Sequence, residues 1–221
     1  HAALSQWVNS SRDNKKAYAD DLKNIEKLLK QRQQQDRKDY LLDNARPRLF
    51  VAAAALYRLA NESTKPDAER KAGFQSRDLP RYKAFLTGME RNFDVSVEKA
   101  LDLYNLSRYA AQPKKQRDSD FDKIMGIKDG MTEQQLVALI DNWYANTGLA
   151  ALDKRMALLE MTPEQFAQSS DSFVKVAVAL HKWNLKREAA DEELAGKIQQ
   201  AYASYMRAKM AFMQSKGQAV Y

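Results

Sequence analysis

Cysteine is absent from the 221 residues. That excludes disulfide scaffolds, thiolate metal sites and cysteine nucleophiles. Glycine and proline are scarce, at seven and five residues, against roughly 12% of the chain in average usage. Valine, isoleucine and threonine total only nineteen, too few to populate a sheet with the β-branched residues strands prefer. An all-β fold and a parallel α/β fold are both disfavoured, and helix remains. Apolar runs such as 50–57 are far shorter than the roughly 20 residues that span a membrane. The N-terminus, His1-Ala2-Ala3-Leu4, lacks the basic and apolar regions of a signal peptide and reads as a chain entered in mid-helix, as a fragment would.

Chemistry-bearing motifs are equally sparse. The two histidines, His1 and His181, offer no pair at helical spacing, so an HExxH-type zinc site is missing. His181 reads as a structural or surface residue of a helix. No Gly-x-Ser-x-Gly elbow, no G-x-G-x-x-G and no G-x-x-x-x-G-K-[ST] loop is present. Ser10, Ser11, Ser63, Ser169 and Ser170 sit where helix ends are expected, and capping accounts for them. Asp118, Asp120 and Asp122 have a faint calcium-loop spacing, but no glycine follows in place and no glutamate closes the loop. The groups Asp20-Asp21 and Asp191-Glu192-Glu193 read as solvated helix faces or first-turn acids. The sequence therefore assigns no catalytic, cofactor-binding or metal residue, and no cofactor is expected.

The net charge is +7, from 36 basic and 29 acidic residues. A nucleic-acid binder concentrates such charge on one face. Here the basic clusters are short (Lys114, Lys115 and Arg117; Arg46 and Arg48), and elsewhere acids and bases interleave, as in Asp36-Arg37-Lys38-Asp39.

What is present in quantity is helical periodicity. Tyr18, Leu22, Ile25 and Leu29 fall on one face, opposite Lys15, Asp20, Lys23, Lys27 and Lys30. A second long segment reads from about Asp36 to Ala60, with Pro47 kinking it or opening a new helix. Its half from Leu49 to Leu59 is apolar on nearly every side, which predicts the buried centre of the domain. Residues 61–77 read as a long connection with one short helix, projecting from the bundle. Asp78 is expected to cap a helix through Met89 with Pro80 in its first turn. Asp94 is expected to cap the next, where Val97, Leu101, Tyr104 and Arg108 share a face. Residues 112–131 form a second irregular stretch. Thr132 with Gln135 and Thr162 with Gln165 make capping boxes, and Gly148 ends the helix between them. From Asp171 to Lys216 the chain is helical, as two antiparallel helices or one bent one, with Gly196 as the weak point. The expected fold is all-α: a single-domain bundle over residues 1–221 of about eight to ten helices, several long and antiparallel.

The chain also resembles the helical domain of the bacterial dipeptidyl-peptidase VII and XI type family, the dipeptidyl aminopeptidase BII-like serine exopeptidases. The resemblance rests on several stretches in order. Asp36-Arg37-Lys38-Asp39-Tyr40-Leu41-Leu42 precedes the run 53–60. Lys65-Pro66-Asp67-Ala68-Glu69-Arg70 precedes Gln75-Ser76-Arg77-Asp78-Leu79-Pro80-Arg81. Asn142-Trp143-Tyr144-Ala145-Asn146-Thr147 leads into 152–159. Residues 170–180 and Gly217-Gln218-Ala219-Val220-Tyr221 complete the set. The resemblance implies a fragment inserted in a chymotrypsin-like double β-barrel peptidase, whose catalytic His and Asp lie before it and whose Ser lies after it. The catalytic barrel of the same longer chain and an oligopeptide substrate are then the implied partners. A homodimeric parent and a periplasmic or cell-surface location in a Gram-negative bacterium are compatible with it. The implied role is a cap that limits cleavage to dipeptides from free N-termini, with 61–77 and 112–131 as candidate contacts to barrel or cleft. The competing reading is an independent helical protein-binding module using the Met and aromatic stripe near 202–213. An inserted domain brings its two ends close together, whereas a free module has no such constraint.

Overall fold

A computed structural model describes residues 2–218. His1 lies outside the described residues, as do positions 219–221 of the last resemblance stretch. Among the described residues the fold is all-α, with eleven α-helices and four short 3-10 turns. The helices are α1 (Ala2–Asn9), α2 (Arg12–Asn44), α3 (Arg48–Ser63), α4 (Leu79–Glu90), α5 (Val95–Ala110), α6 (Ser119–Met125), α7 (Glu133–Ala145), α8 (Leu152–Ala157), α9 (Pro163–Gln168), α10 (Ser172–Ala179) and α11 (His181–Ser215). The described residues gather into two compact units, one of residues 2–37 and 186–218, the other Lys38–Leu185.

The first unit holds α1, the first part of α2 and most of α11. Leu22 of α2 clusters with Leu4, Val8 and Ala208, while Ile25 and Leu28 cluster with Leu194 and Ala201. Residues that rise along α2 meet residues that fall along α11, so the two long helices run antiparallel. Gln35 bonds to Asp191, and Arg32 bridges Asp191 at 3.6 Å and Asp36 at 2.8 Å. Trp7 stacks on Tyr18 at 5.7 Å and meets Phe212 at 5.6 Å, so the described ends of the chain come together here. The expected α2 face is corrected at one position. Leu28 is buried, whereas Leu29 is 51% exposed, because the covering surface lies along the three-residue steps 22, 25, 28.

The second unit is built around α3. Pro47 precedes its first turn, where the missing N–H costs nothing. Leu49, Phe50, Ala52, Ala53, Leu56 and Leu59 are fully buried, and α10 packs against this helix. The predicted central helix is therefore present, with Val51 the residue that reaches solvent. Residues 36–44 belong to α2, so the second segment does not begin at Asp36 but breaks at Pro47. The second break expected near Gly196 falls instead at Leu180, between α10 and α11, and α11 runs through Gly196 as helix. Asp94, Thr132, Thr162 and Asp171 cap their helices as their types predict. Asp78 does not. Its carboxylate accepts the Gln75 N–H at 3.0 Å and so closes the preceding 3-10 turn.

Candidate functional site

A concavity of the second unit lies where α3 ends. It encloses about 510 Å³ between Leu59 and Ser63 of α3, Arg70 and Ser76 of the following connection, and the segment from Leu159 to Glu164 that leads into α9. Leu59, Leu79, Leu159 and Met161 give it apolar walls, and hydroxyl groups of Ser63, Thr64, Ser76 and Thr162 lie among its lining.

The connection 61–77 does not project from the bundle. Buried Glu62 organises it, accepting bonds from the Lys65 ammonium at 2.8 Å and the Lys71 N–H at 3.1 Å, beside Arg58 at 3.2 Å. Burial pushes the Glu62 carboxyl up, but these two hydrogen bonds and the charges of Arg58 and Lys65 outweigh it and hold it below the usual range. Arg70 is consumed locally: it donates to the carbonyls of Lys65 and Ser63 and pairs with Asp67 at 3.1 Å. Asp67 accepts the Ser76 N–H at 2.7 Å and its hydroxyl at 2.8 Å, which lowers the Asp67 carboxyl. Phe74 packs on the core beneath the Arg58 guanidinium, and Tyr82 donates to the Gly73 carbonyl at 3.0 Å. A stretch with no periodicity thus takes a defined conformation because polar side chains replace the missing helix bonds.

The other singled-out residues are accounted for structurally. The His181 ring meets Tyr57 edge-on at 4.9 Å, and burial first, then Arg58, lowers its basicity. Asp118 caps α6, Asp122 pairs with Arg117 at 3.0 Å, and Asp120 is exposed, so the three do not converge. Among the described residues no group of three or more His, Asp or Glu side chains is placed to hold a metal ion. Of the basic clusters, Arg117 is buried against the Ala110 carbonyl, Asp122 and Asp129. Arg48 serves Glu98 at 2.8 Å and Asn92 at 2.7 Å, and Arg46 lies over Phe50. These guanidinium groups hold the fold rather than forming a phosphate-binding face. In the 202–213 stripe, Tyr205 and Phe212 pack into the first unit, while Tyr202 and Met210 reach solvent. Among the described residues no helix is long and apolar enough to cross a membrane.

Two sites escaped sequence reasoning. Arg155 is wholly buried, donates to the carbonyls of Leu149 and Ala150 at 2.8 Å each, and pairs with Glu90. It ties α8 to α4 and to the loop after α7. On α5, Glu98 and Asp102 are buried on one face, with Asp102 accepting the Tyr144 hydroxyl at 2.9 Å. Desolvation, reinforced by the Glu98 charge and opposed by the Tyr144 bond, pushes the Asp102 carboxyl up to about 7. No sequence signal marked this face, which carries Glu98 and Asp102 at i, i+4 with Leu106 and Tyr109 beyond, because the face opposite is the more apolar one.

The sequence model of the Peptidase S46 family matches residues 1–221. The chain belongs to this family. An Asp/Glu-specific dipeptidyl-peptidase of Shewanella putrefaciens (strain CN-32 / ATCC BAA-453) is 35% identical to it over 198 residues. Those residues are 89% of this chain and 26% of the relative. The S46 chain therefore spans about a quarter of the length of the curated relative it matches.

Proposed function

We propose that this S46 chain is the helical capping domain of a longer serine dipeptidyl peptidase that removes dipeptides from free N-termini. The observation that carries the reading is the S46 match along all 221 residues of a chain that covers only 26% of a dipeptidyl-peptidase. In this reading the nucleophile and its base come from the rest of the longer protein, and this chain contributes shape. An exopeptidase that stops after two residues has to close a cleft that a β-barrel leaves open at both ends. A helical cap does so by excluding longer chains and water. The meeting of Trp7 and Phe212 supports the reading, because an inserted domain enters and leaves close together. We assign the connection 61–77, braced on Glu62 and lining the 510 Å³ cleft, as the part turned toward the peptide path. The parent in this reading is a homodimer, secreted to the periplasm or cell surface of a Gram-negative bacterium.

The test is the intact mass of the native gene product, captured with an antibody to this chain. The reading predicts a species far heavier than the 25.3 kDa of these 221 residues. That species should release dipeptides from peptides with a free N-terminus and spare their N-acetylated counterparts. A native product near 25.3 kDa without peptidase activity would contradict it.

A further inference from the structure

Three lysines of α2 hold nothing in the fold. Lys23, Lys27 and Lys30 fall at i, i+4 and i+7, one stripe on the side of the helix away from buried Leu22, Ile25 and Leu28. All three are exposed, and among the described residues none of them has an ion-pair partner. Farther along the same helix Arg32 is paired, with Asp36 and Asp191. Like charges at i, i+3 and i+4 destabilise a helix, so the stripe weakens α2 without bracing anything in return. A concavity of about 470 Å³ runs along it, lined by Lys23, Glu26, Lys27, Lys30, Gln31 and Gln34. Glu26 borders the concavity on one side, so the positive charge is confined to the line of the lysines.

We infer that this face of α2 docks the acidic tail of an extended peptide substrate, with carboxylate side chains seated on Lys23, Lys27 and Lys30. The inference rests on the proposed peptidase reading and adds a substrate class to it. Spacing is the first argument. Lys23 and Lys27 are about 6 Å apart along the axis at 1.5 Å per residue. Side chains on one face of an extended chain recur about every 6.6 Å. Carboxylates at alternate positions of the peptide therefore meet successive lysines, and the long lysine stems absorb the shorter step to Lys30. The stretch from Lys23 to Gln34, about 16 Å, takes about five residues of such a chain. Gln31 and Gln34 suit a peptide in particular, since each amide both donates and accepts, as a peptide unit does. A phosphate polymer offers acceptors alone, and a lipid surface is broad and flat where this stripe is narrow and concave. Ammonium groups act as point charges rather than planar forks, so they speed encounter and favour acidic chains without fixing one sequence. The net charge of +7 has the same sign and adds to the steering. In the proposed reading the bond after the second residue is cut by the rest of the longer protein, so this groove takes the residues that follow.

The test uses the longer protein and two decapeptides with free N-termini. They share their first two residues and differ afterwards only in carrying a Glu-x-Glu-x-Glu or a Gln-x-Gln-x-Gln run. Dipeptide release at low salt should show kcat/KM about tenfold or more higher for the acidic peptide. The ratio should fall toward one at about 1 M salt, where charges are screened beyond about 3 Å. The triple variant Lys23→Gln, Lys27→Gln, Lys30→Gln removes the charge and keeps helix propensity, and it should treat the two peptides alike at low salt. Damage to the fold alone would lower both rates and leave their ratio. Replacing all three lysines with glutamate should reverse the preference, toward a Lys-x-Lys-x-Lys tail. Equal kcat/KM for the two peptides on the wild-type protein, or a ratio that survives in the triple glutamine variant, would overturn the inference. Fluorescence anisotropy of the labelled acidic peptide on the same protein separates this result from the peptidase reading. Binding that the triple variant loses, on a protein that releases no dipeptide, keeps the acidic-peptide groove and removes the peptidase. Capture by phosphatidylglycerol vesicles that the triple variant loses, without binding of the acidic peptide, would overturn the inference in favour of a lipid surface.

Discussion

Asp102 is a carboxylate with little water around it. It faces the Tyr144 hydroxyl and the charge of Glu98, and Glu98 is itself held by Arg48. Lys99, the next basic group on α5, is directed to Asp141 at 2.8 Å. With its folded value near 7 against 3.8 for the free group, Asp102 binds a proton in the fold that the unfolded chain releases. Its contribution to stability is therefore fully present below about pH 4, declines between 4 and 7, and is gone above 7. Ionising it in place costs on the order of 4 kcal/mol at 1.36 kcal/mol per pKa unit. Asp102→Asn keeps an acceptor for Tyr144 and has no charge to bury. Melting curves should show it more stable than the wild type at pH 8, with the gap narrowing as pH falls and nearly closed below about pH 4. A variant that is less stable at pH 8 would mean that the ionised carboxylate is stabilised where it stands. At this scale the sequence was legible for caps and illegible for burial. Asp94, Thr132 and Thr162 announce themselves as caps by position before an apolar run, whereas Asp78 closes the preceding turn instead and Asp118 caps α6 without having been read as a cap. Nothing local distinguishes Asp102, or the wholly buried Arg155, from the many charged residues that face water, because only a neighbouring helix decides which side is covered.

The helices themselves were readable from period and punctuation. Pro47, Gly126 and the two Thr-x-x-Gln boxes mark real ends. Gly196 does not, because a glycine weakens a helix by only about 1 kcal/mol and packing along Leu194 and Ala201 holds it. An added Cβ at Gly196 meets nothing within 4 Å. Gly196→Ala should therefore stabilise α11 by about 1 kcal/mol. The melting temperature of the transition that reports this helix should rise by about 2–4 °C. A fall would show that the glycine serves a bend or a close contact. On α5 the apolar period was read correctly, yet the face it marks points outward, since the carboxylates across from it are satisfied by Arg48 and Tyr144. The connections 61–77 and 112–131 look structureless in sequence because their order comes from single side chains, Glu62 and Arg117, that bond to distant backbone.

At the scale of the whole molecule, the described residues form two compact helical units in a chain of the S46 family, and the chain spans about a quarter of the length of its Shewanella putrefaciens relative. The fold class and the family were legible together, since residue runs such as Lys65–Arg70 and Asn142–Thr147 carry both. The cleft at the end of α3 was not, because it is made by segments about a hundred residues apart, 59–79 and 159–164. If the chain caps a catalytic body, its effect belongs to product length rather than to bond-breaking. The most direct measurement is mass spectrometry of the products that the longer protein releases from a free-N-terminus decapeptide, with and without the segment 1–221. Labelling by a serine-directed phosphonate confirms that the shortened enzyme keeps a competent nucleophile. The account predicts dipeptides alone from the intact protein, and longer fragments or no turnover from the labelled but shortened one. Dipeptides released at an unchanged rate by the shortened enzyme would contradict it.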